Sequence, residues 1–499
     1  MRCPGGRRVV EFMGRRPNGT WLTMTFGVIF PTIQFALFFA VVLTVNWLLL
    51  PHPRVWKLFM LSASYFFYGS WDWRFCFLLA FTSVADHTIG GLIHRSKDPK
   101  RRRVLLIVGV VVSLGVMGYF KYYDFFASSL INLFAPMGVD VPLPILNIVL
   151  PVGISFFTFQ SLSYTVDIYR RKLEPVPLLD FATFVSFFPH LVAGPIVRSA
   201  EFLPQLRQHH DPRRVPAASA FLLIAGGLFK KVVVANTLAT TIVDPVFASP
   251  QSFSALDTVA AIYGYAVQIY ADFSGYTDIA IGLALLLGFR FPQNFNRPYV
   301  AESLQDFWRR WHMTLSRFLR DYLYIALGGS QRGRLLTYRN LLLTMMIGGL
   351  WHGAAWTFVL WGTLHGGVLA WERWRQERRE AQGRELIDTP WRRTGRRLLI
   401  FHIVCLGWVL FRSGSMATTI EVLSRLAVPG PAQLVTPVVI LLIVAGIGVQ
   451  FLPPNFRFRL REGFGNLRPV PMALGLASFL LVLDALGPEG VAPFIYFQF

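Results

Sequence analysis

The stretch "MMIGGLWHGAAWTFVLWG", residues 345–362, is almost wholly apolar, yet it carries one histidine, His352. It belongs to an apolar run over residues 340–371, and a membrane-spanning helix needs about 20 such residues. Counted at about 1.5 Å per residue from Asn340, His352 should lie roughly 18 Å along this helix. The stretch therefore predicts one continuous span with an imidazole near the middle of the membrane, and with His365 on the far side of the same helix.

The rest of the chain has the composition of a polytopic membrane protein. Hydrophobic residues make up 54% of the 499 residues and charged residues only 15%, whereas a soluble protein carries about 25% charged residues. The apolar runs predict an all-α fold of about 11 transmembrane helices, with re-entrant or amphipathic helices where Gly and Pro interrupt them. These runs cover residues 26–50, 55–71, 72–93, 104–120, 150–169, 180–197, 217–239, 258–289, 340–371, 398–411, 434–452 and 470–486.

The chain is strongly basic, with 48 Lys and Arg against 27 Asp and Glu and a formal net charge of +21. A basic protein can bind nucleic acid, but here the positive residues gather in short loops at 94–103, 170–172 and 211–215. This is the pattern of cytoplasmic loops in membrane proteins, and it also attracts anionic lipid. We therefore expect membrane lipid and not nucleic acid as a partner, with residues 94–103 inside the cell and residues 121–147 outside.

Residues 24–499 are predicted to form a single transmembrane domain. The first 23 residues are basic and only partly apolar, so we expect them to be a disordered or non-native extension before a start at Met24. Residues 372–397 are strongly charged and predict a polar loop of the cytoplasmic type. The three cysteines lie far apart in the sequence, which indicates neither a disulfide framework nor a cysteine metal site.

Residues 303–327, "SLQDFWRRWHMTLSRFLRDYLYIAL", predict one amphipathic or re-entrant helix. Helical periodicity places Trp308 and Trp311 on an apolar side, and on the other side a charged set that includes Arg309, Arg310 and Arg317. Such a helix lies along the membrane interface, with its arginines toward lipid headgroups or the cytoplasm. His312 projects from the edge of the apolar side, where the residues alone favour a structural histidine over a functional one.

His352 has glycines beside it, at Gly348, Gly349 and Gly353. They leave the backbone bare, either for a substrate to approach the imidazole or for another helix to pack closely. An ionisable side chain inside a membrane is costly and usually marks a functional path, so the residues leave both alternatives open. The sequence has no H-E-x-x-H pair, G-x-S-x-G turn or phosphate-binding Gly-rich loop, and therefore supports neither metal nor serine-nucleophile chemistry.

Three long segments resemble the membrane-bound O-acyltransferase family, in particular its bacterial branch for alginate O-acetylation and D-alanyl transfer to teichoic acid. They are "YADFSGYTDIAIGLALLLGFRFPQNFNRPY" (270–299), "FWRRWHMTLSRFLRDYLYIALGG" (307–329) and "GGLWHGAAWTFVLWGTLHG" (348–366). The resemblance extends over residues 24–499. It implies a helical bundle around a central funnel or tunnel, with the acyl donor entering from the cytoplasm.

The resemblance also implies roles for two histidines, because the family's invariant histidine corresponds to His352 and its second histidine to His312. An acyl thioester is already activated, so the enzyme must remove the proton of the acceptor hydroxyl as it attacks. A neutral imidazole suits this task since its ordinary pKa is near physiological pH. We expect His352 to be the general base, and His312 to orient the thioester or stabilise developing oxyanion charge.

Seven polar residues are the candidates for substrate binding: Arg309, Arg310, Arg317, Asp272, Ser274, Asp278 and Asn296. The arginines would either meet phosphates of the donor or face lipid headgroups. The polar residues between 272 and 278 interrupt an apolar run, and they would either hydrogen-bond the histidines or satisfy a broken backbone.

The expected reaction uses no bound cofactor and no metal. The donor would be acetyl-CoA or another acyl thioester, and the acceptor the hydroxyl groups of an extracellular polysaccharide. Transfer would be direct or through an extracellular or periplasmic acetyltransferase partner, from a multi-pass protein in the bacterial inner membrane. The alternatives are D-alanyl transfer to teichoic acid, a polysaccharide or lipid transporter with midplane polar residues, and a non-catalytic membrane scaffold.

Overall fold

The computed structural model describes residues 13–15, 21–23, 30, 32–208, 210–385, 388–465 and 469–486 of the chain. Its regular structure is helical apart from two short strands. The α-helices are α1 Ile33–Leu49, α2 Pro53–Asp72, α3 Arg74–Arg95, α4 Pro99–Phe134, α5 Ile154–Tyr169, α6 Leu178–Ser186, α7 Phe188–Leu191, α8 Ser199–Phe202, α9 Ala217–Leu228, α10 Asn236–Leu238, α11 Asp244–Ala248, α12 Ala255–Leu286, α13 Leu304–Trp308, α14 Met313–Phe318, α15 Arg334–His352, α16 Trp356–Ala381, α17 Pro390–Arg412, α18 Met416–Arg425, α19 Pro437–Gly448, α20 Pro454–Gly465 and α21 Pro469–Leu486.

Shorter elements complete the helices. The π-helical segments are Phe229–Ala235, Ala239–Val243 and Leu319–Tyr324, and the 3₁₀ turns are Ala135–Met137, Leu203–Arg207, Pro212–Arg214, Pro250–Ser252, Pro298–Val300 and Val449–Phe451. The two strands, Met13–Arg15 and Trp21–Thr23, pair antiparallel as a small hairpin. They fall within the predicted N-terminal extension, most of which lies outside the described residues, so the expected start at Met24 stays a prediction.

The membrane character is confirmed, but the predicted count of about 11 spans is not. Among the described residues, four helical stretches are long and apolar enough to cross a membrane: Arg74–Arg95, Pro99–Met137, Ala217–Ala248 and Pro390–Arg412. Two shorter apolar stretches are Ile33–Leu49 and Pro437–Phe451. Other predicted spans form helices that are short, broken or enclosed by protein, which an apolar run in the sequence does not distinguish from a span.

Helix α12 shows what this enclosure means. Residues 264–277 are buried without interruption, and the helix packs against α9, α17, α19 and the π-helical segment Phe229–Ala235. A Cβ on Gly227 of α9 would lie 2.6 Å from the Gly275 carbonyl oxygen, so the two backbones touch where these helices cross. A helix that is apolar on all sides must be enclosed or lipid-facing, and α12 is enclosed.

The predicted continuous helix over residues 340–371 is wrong, because the chain turns back at its centre. Helix α15 ends at His352, Gly353 and Ala355 are extended, and α16 begins at Trp356. The two helices form an antiparallel hairpin, which places His352 at a helix end.

Glycines allow the two arms of this hairpin to pack. A side chain on Gly349 would collide with the Phe358 carbonyl, and one on Gly362 with the Met345 carbonyl. A Cβ on Gly353 would run into the Phe358 ring. Of the two alternatives for the glycines near His352, these contacts favour close packing of helices.

The single amphipathic helix predicted over residues 303–327 is also wrong. The segment forms α13, a turn, α14 and the π-helical stretch Leu319–Tyr324. His312, the last residue of the turn, has a left-handed backbone with a φ of 42°, which no helix continues through. The start of α14 is held from outside, since the Asn294 backbone carbonyl accepts the Met313 N–H at 2.9 Å. Helical periodicity contains no sign of such a tertiary contact.

A polar loop over the whole of residues 372–397 is wrong as well. Helix α16 continues to Ala381 and α17 begins at Pro390, so only a short connection separates them. The charged end of α16 is stabilised by neighbours four residues apart, such as Arg373 and Glu377, whose Nε and Oε1 are 2.7 Å apart.

Candidate active site

His352 is enclosed by aromatic rings at the turn of the α15–α16 hairpin. Its exposed fraction is 3%. The ring centroids of Trp351, Trp361 and Phe411 lie 5.0, 5.1 and 5.2 Å from its own, each edge to face. The imidazole therefore faces the protein interior and not lipid, as a group that reacts with bound substrate requires.

Helix α4 holds the end of α15. Lys121 Nζ donates to the carbonyl of Trp351 at 2.6 Å and to that of His352 at 3.2 Å. The Tyr122 hydroxyl donates to the Leu350 carbonyl at 2.8 Å. The last carbonyls of a helix have no partner within the helix and carry partial negative charge. A lysine and a tyrosine of α4 therefore cap the helix that ends in His352.

A cavity of about 370 Å³ adjoins these caps on α4. It is lined by Gly118, Tyr119, Tyr122, Tyr123, Phe126, Ala127, Leu130 and Leu143. Tyr122 belongs both to this wall and to the cap of α15, so the cavity lies close to the turn with His352. The central funnel or tunnel implied by the family resemblance stays a prediction.

His312 is fully buried, and its protonation state follows from its neighbours. Its Nδ1 lies 3.1 Å from Asn294 Oδ1, and the backbone N–H of Thr314 donates to the same oxygen at 3.1 Å. Because a backbone N–H can only donate, this Asn294 atom is the acceptor oxygen, and His312 Nδ1 must carry the hydrogen. Nε2 of the neutral ring is then an acceptor, and it has no hydrogen-bond partner among the residues described.

Trp351 brings the two predicted histidines together. Its ring centroid lies 6.1 Å from that of His312 and 5.0 Å from that of His352. On its other side it stacks on Phe159 at 5.3 Å, which in turn stacks on Phe318 at 4.2 Å. The pair of histidines thus lies beside an apolar aromatic cluster, a surrounding suited to an acyl chain and its thioester.

His365 was predicted to lie on the far side of the helix from His352, and this is wrong. Since the chain turns back after His352, the Trp361 ring lies 5.1 Å from His352 and 4.6 Å from His365. The indole N–H of Trp308 donates to His365 Nδ1 at 3.2 Å. A third buried histidine therefore belongs to the same aromatic cluster.

Comparison with known proteins covers the part of the chain that contains this site. The model of the membrane-bound O-acyltransferase family matches residues 152–380, which include both predicted histidines. A probable alginate O-acetylase of Pseudomonas putida is 38% identical over 484 residues, covering 89% of this chain and 95% of the relative. The chain belongs to the membrane-bound O-acyltransferase family. It is therefore a multi-pass membrane enzyme that transfers acyl groups.

Two other relatives of this acyltransferase differ in their acceptor. The peptidoglycan O-acetyltransferase of Helicobacter pylori is 38% identical over 402 residues, covering 74% of each chain. The teichoic acid D-alanyltransferase of Bacillus subtilis is 27% identical over 283 residues, covering 53% of this chain and 69% of the relative. The acetyltransferases are thus more similar to this chain than the D-alanyltransferase, and over a larger share of it.

The three candidate arginines of the acyltransferase flank His312 along the chain. Arg310 Nε pairs with Asp306 Oδ1 at 2.8 Å, and Arg317 Nη1 with Glu201 Oε1 at 3.2 Å. Arg309 is exposed and makes no ion pair within the described part of the chain. Arg309 is therefore the arginine most open to a donor phosphate, and this role stays a prediction for all three.

The acidic candidates pair with lysines. Lys231 Nζ lies 2.5 Å from Asp272 Oδ1, and Lys230 Nζ lies 2.6 Å from Asp278 Oδ2 and 3.0 Å from Ser274 Oγ. Of the two alternatives for these residues, a broken backbone is excluded, since α12 runs without interruption through them. A buried charge is stable only when it is paired, so these pairs join α12 to the π-helical segment Phe229–Ala235.

The amide side chain of this loop that contacts His312 is that of Asn294. Asn296 contributes only its backbone, whose N–H donates to the Arg310 carbonyl at 2.9 Å. The Asn294 side chain instead holds His312, and its Nδ2 donates to Thr277 Oγ1 at 3.4 Å. No composition or spacing signal separates the two asparagines in "NFN", and the substrate-binding role of Asn296 stays a prediction.

Other residues of the site were also missed. Lys121 and Tyr122 follow an apolar run and therefore resemble the end of a membrane span. Trp308, Trp361 and His365 carry hydrogen-bond donors that matter only where two helices meet, so their roles cannot be read from the sequence. The available signal in the sequence was Lys121, a lysine that follows an apolar run with no acidic residue directly beside it. Within the described residues, no group of three or more His, Cys, Asp or Glu side chains is arranged to hold a metal ion.

Proposed function

We propose that this acyltransferase moves acetyl groups from a cytoplasmic thioester toward hydroxyl groups of an extracellular polysaccharide. Alginate and peptidoglycan appear in the names of relatives that are 38% identical to it. The single observation that carries the proposal is the pair of buried histidines, His312 and His352, on either side of Trp351.

His352 is the general base of the proposed reaction. It takes the proton of the acceptor hydroxyl while that oxygen bonds to the carbonyl carbon of the thioester. The carbon–sulfur bond then breaks, and the proton passes from His352 to the leaving thiolate. Atoms and charge balance without a metal or a redox partner, and general-base assistance of this kind contributes about 10²–10⁴-fold to the rate.

His312 orients the donor. With the hydrogen on Nδ1, its Nε2 accepts hydrogen bonds and gives none, so it suits an N–H or O–H group of the donor's thioester arm. The same tautomer makes it a poor stabiliser of an oxyanion, which requires a donor. Of the two roles considered for His312, orientation of the thioester is the one its hydrogen bonds support.

The remaining parts of the proposal rest on the family resemblance. The donor is acetyl-CoA or another acyl thioester, bound as a substrate from the cytoplasm, with Arg309 near its phosphates. The protein is placed in the bacterial inner membrane, and acetyl groups reach the polysaccharide directly or through an extracellular or periplasmic acetyltransferase.

The chief alternative is D-alanyl transfer to teichoic acid, favoured by the relative of Bacillus subtilis at 27% identity. It uses the same site and differs in the acyl group. Mild alkaline release followed by mass measurement of the released acid separates the two, because acetate and D-alanine differ in mass and charge. A non-catalytic scaffold would instead keep its ester content when His352 is replaced.

The proposal is tested with His352→Gln in a strain whose only copy is the variant. Gln is polar and similar in size but cannot act as the base, so we expect ester content of the extracellular polysaccharide to fall by about 10²–10⁴-fold. Esters are measured by alkaline release from purified polysaccharide, and protein level by immunoblot of membranes. Wild-type ester content at equal protein level would refute the assignment and favour the scaffold.

A further inference from the structure

Helix α16 carries two buried N–H groups for which the proposed reaction has so far no use. Trp361 and His365 are one helical turn apart, with exposed fractions of 1% and 0%. Trp361 Nε1 and His365 Nε2 are both shielded from solvent, and neither has a hydrogen-bond partner among the described residues. Such a buried polar atom typically costs about 1–3 kcal/mol, so two of them side by side require an explanation.

The tautomer of His365 makes its free nitrogen a donor. The indole N–H of Trp308 lies 3.2 Å from His365 Nδ1. Because an indole nitrogen can only donate, His365 Nδ1 must be the acceptor, and the hydrogen of the neutral ring is on Nε2. This is the reverse of His312, whose free nitrogen is an acceptor.

The two donors converge on one place over α17. The ideal Cβ position of Gly407 lies 2.7 Å from His365 Nε2 and 3.4 Å from Trp361 Nε1. Gly407 is therefore the residue whose lack of a side chain lets both N–H groups approach the same patch of backbone. The patch is close to the proposed general base, because the Trp361 ring lies 5.1 Å from that of His352.

We propose that Trp361 Nε1–H and His365 Nε2–H hold the carbonyl oxygen of the acyl group while it becomes an oxyanion. As the acceptor oxygen bonds to the carbonyl carbon, the C=O electron pair moves to oxygen, and the two donors stabilise that negative charge. The pair returns when the carbon–sulfur bond breaks. Preorganised donors in a dry site are worth most at this moment. This assignment rests on the proposed acyl transfer and supplies the donors that His312 lacks.

The first test removes one donor and keeps the ring. We expect Trp361→Phe to lower the initial rate of ester formation in cells by about 10²–10³-fold, the usual effect of one lost oxyanion donor. Trp56→Phe is the matched control, because the buried Trp56 indole N–H already donates to Asn46 Oδ1 at 2.8 Å, and its rate should stay near wild type. Rates are divided by the amount of folded protein, which is given by the yield in detergent. The thermal unfolding midpoint shows whether each variant is as stable as wild type.

The second test moves the donors without removing them. Gly407→Ala places a methyl group where His365 Nε2 already lies within 2.7 Å, so we expect a loss comparable to that of Trp361→Phe. Gly395→Ala, on the same helix, meets nothing within 4 Å and should be neutral. His365→Gln, which keeps an N–H at the corresponding position, should retain more activity than His365→Leu.

The outcomes separate this assignment from the proposed function. Full activity in both Trp361→Phe and Gly407→Ala, with a normal wild type, would refute the oxyanion donors and leave acyl transfer intact. A lower unfolding midpoint with an unchanged rate per folded molecule would also refute it, since the two N–H groups would then serve only stability. A wild-type protein that forms no esters would refute the proposed function itself.

Discussion

His190 and His312 are both fully buried and both surrounded by aromatic rings, yet their environments differ in kind. His190 Nε2 donates to the Phe184 backbone carbonyl at 2.8 Å. Its ring contacts within the described chain are all with phenylalanines: Phe184, Phe187, Phe202 and Phe291. His312 is instead held by a side-chain amide and shares the Trp351 ring with His352.

The difference shows that burial alone does not separate a structural histidine from a candidate for catalysis. An imidazole bonded to a backbone carbonyl within a phenylalanine cage has one stable role, to satisfy that carbonyl. An imidazole whose tautomer is set by a separate loop, and which shares a tryptophan ring with a second histidine, is prepared for a proton or a hydrogen bond from substrate. His312 therefore differs from His190 in two features: its hydrogen-bond partner is a side-chain amide, and a second histidine lies nearby.

Outside His352 and the proposed oxyanion donors, the largest effect is expected at Asn294. Asn294→Ala removes the acceptor that keeps the hydrogen on His312 Nδ1, and we expect the ester-forming rate to fall by about 10²-fold, below the roughly 10⁴-fold known for a wrong histidine tautomer. Gln293→Ala, at the exposed neighbouring residue, is the control. An unchanged rate in Asn294→Ala would remove the proposed difference between His312 and His190.

A smaller effect is expected from the caps of α15. Lys121→Met leaves the carbonyls of Trp351 and His352 without their donor, which shifts the end of the helix, and we expect a loss of roughly 10-fold since small misplacements near the chemistry are costly. Lys121→Arg should recover most of the rate because it restores a cationic donor. If Met and Arg variants behave alike at equal folded amounts, Lys121 does not position His352.

The smallest effect on activity is expected at His190. His190→Leu removes the shorter of two hydrogen bonds to the buried Phe184 carbonyl and leaves only the Phe187 N–H at 3.4 Å, so the free energy of unfolding should fall by about 1–3 kcal/mol. The ester-forming rate per folded molecule should stay within about twofold of wild type, as for other changes away from a site. Thermal unfolding in detergent and the cellular ester assay measure the two. A loss of activity as large as that of His352→Gln would mean that both histidine environments are catalytic.

Much of the site was accessible from the sequence because its two main residues lie within long, recognisable segments. The segment containing His352 identified the family, and the family pointed to His312; the structure brings the two together at Trp351. The sequence did not predict the features of the site that depend on contacts between distant segments. Asn294 and Asn296 are indistinguishable by type and spacing, and only the loop's approach to α14 makes one of them hold His312.

The sequence by itself determined the environment and the class of enzyme. Apolar composition dictates a membrane protein because the hydrophobic effect depends on residue type and not on neighbours, and the three long motifs carry the family. Only the tertiary structure decided that the apolar run 340–371 turns back at Gly353, that His365 joins His352, and which nitrogen of His312 and of His365 bears its hydrogen. Those outcomes depend on caps from α4, on glycines that admit another backbone, and on donors whose direction is set by partners far away in the chain.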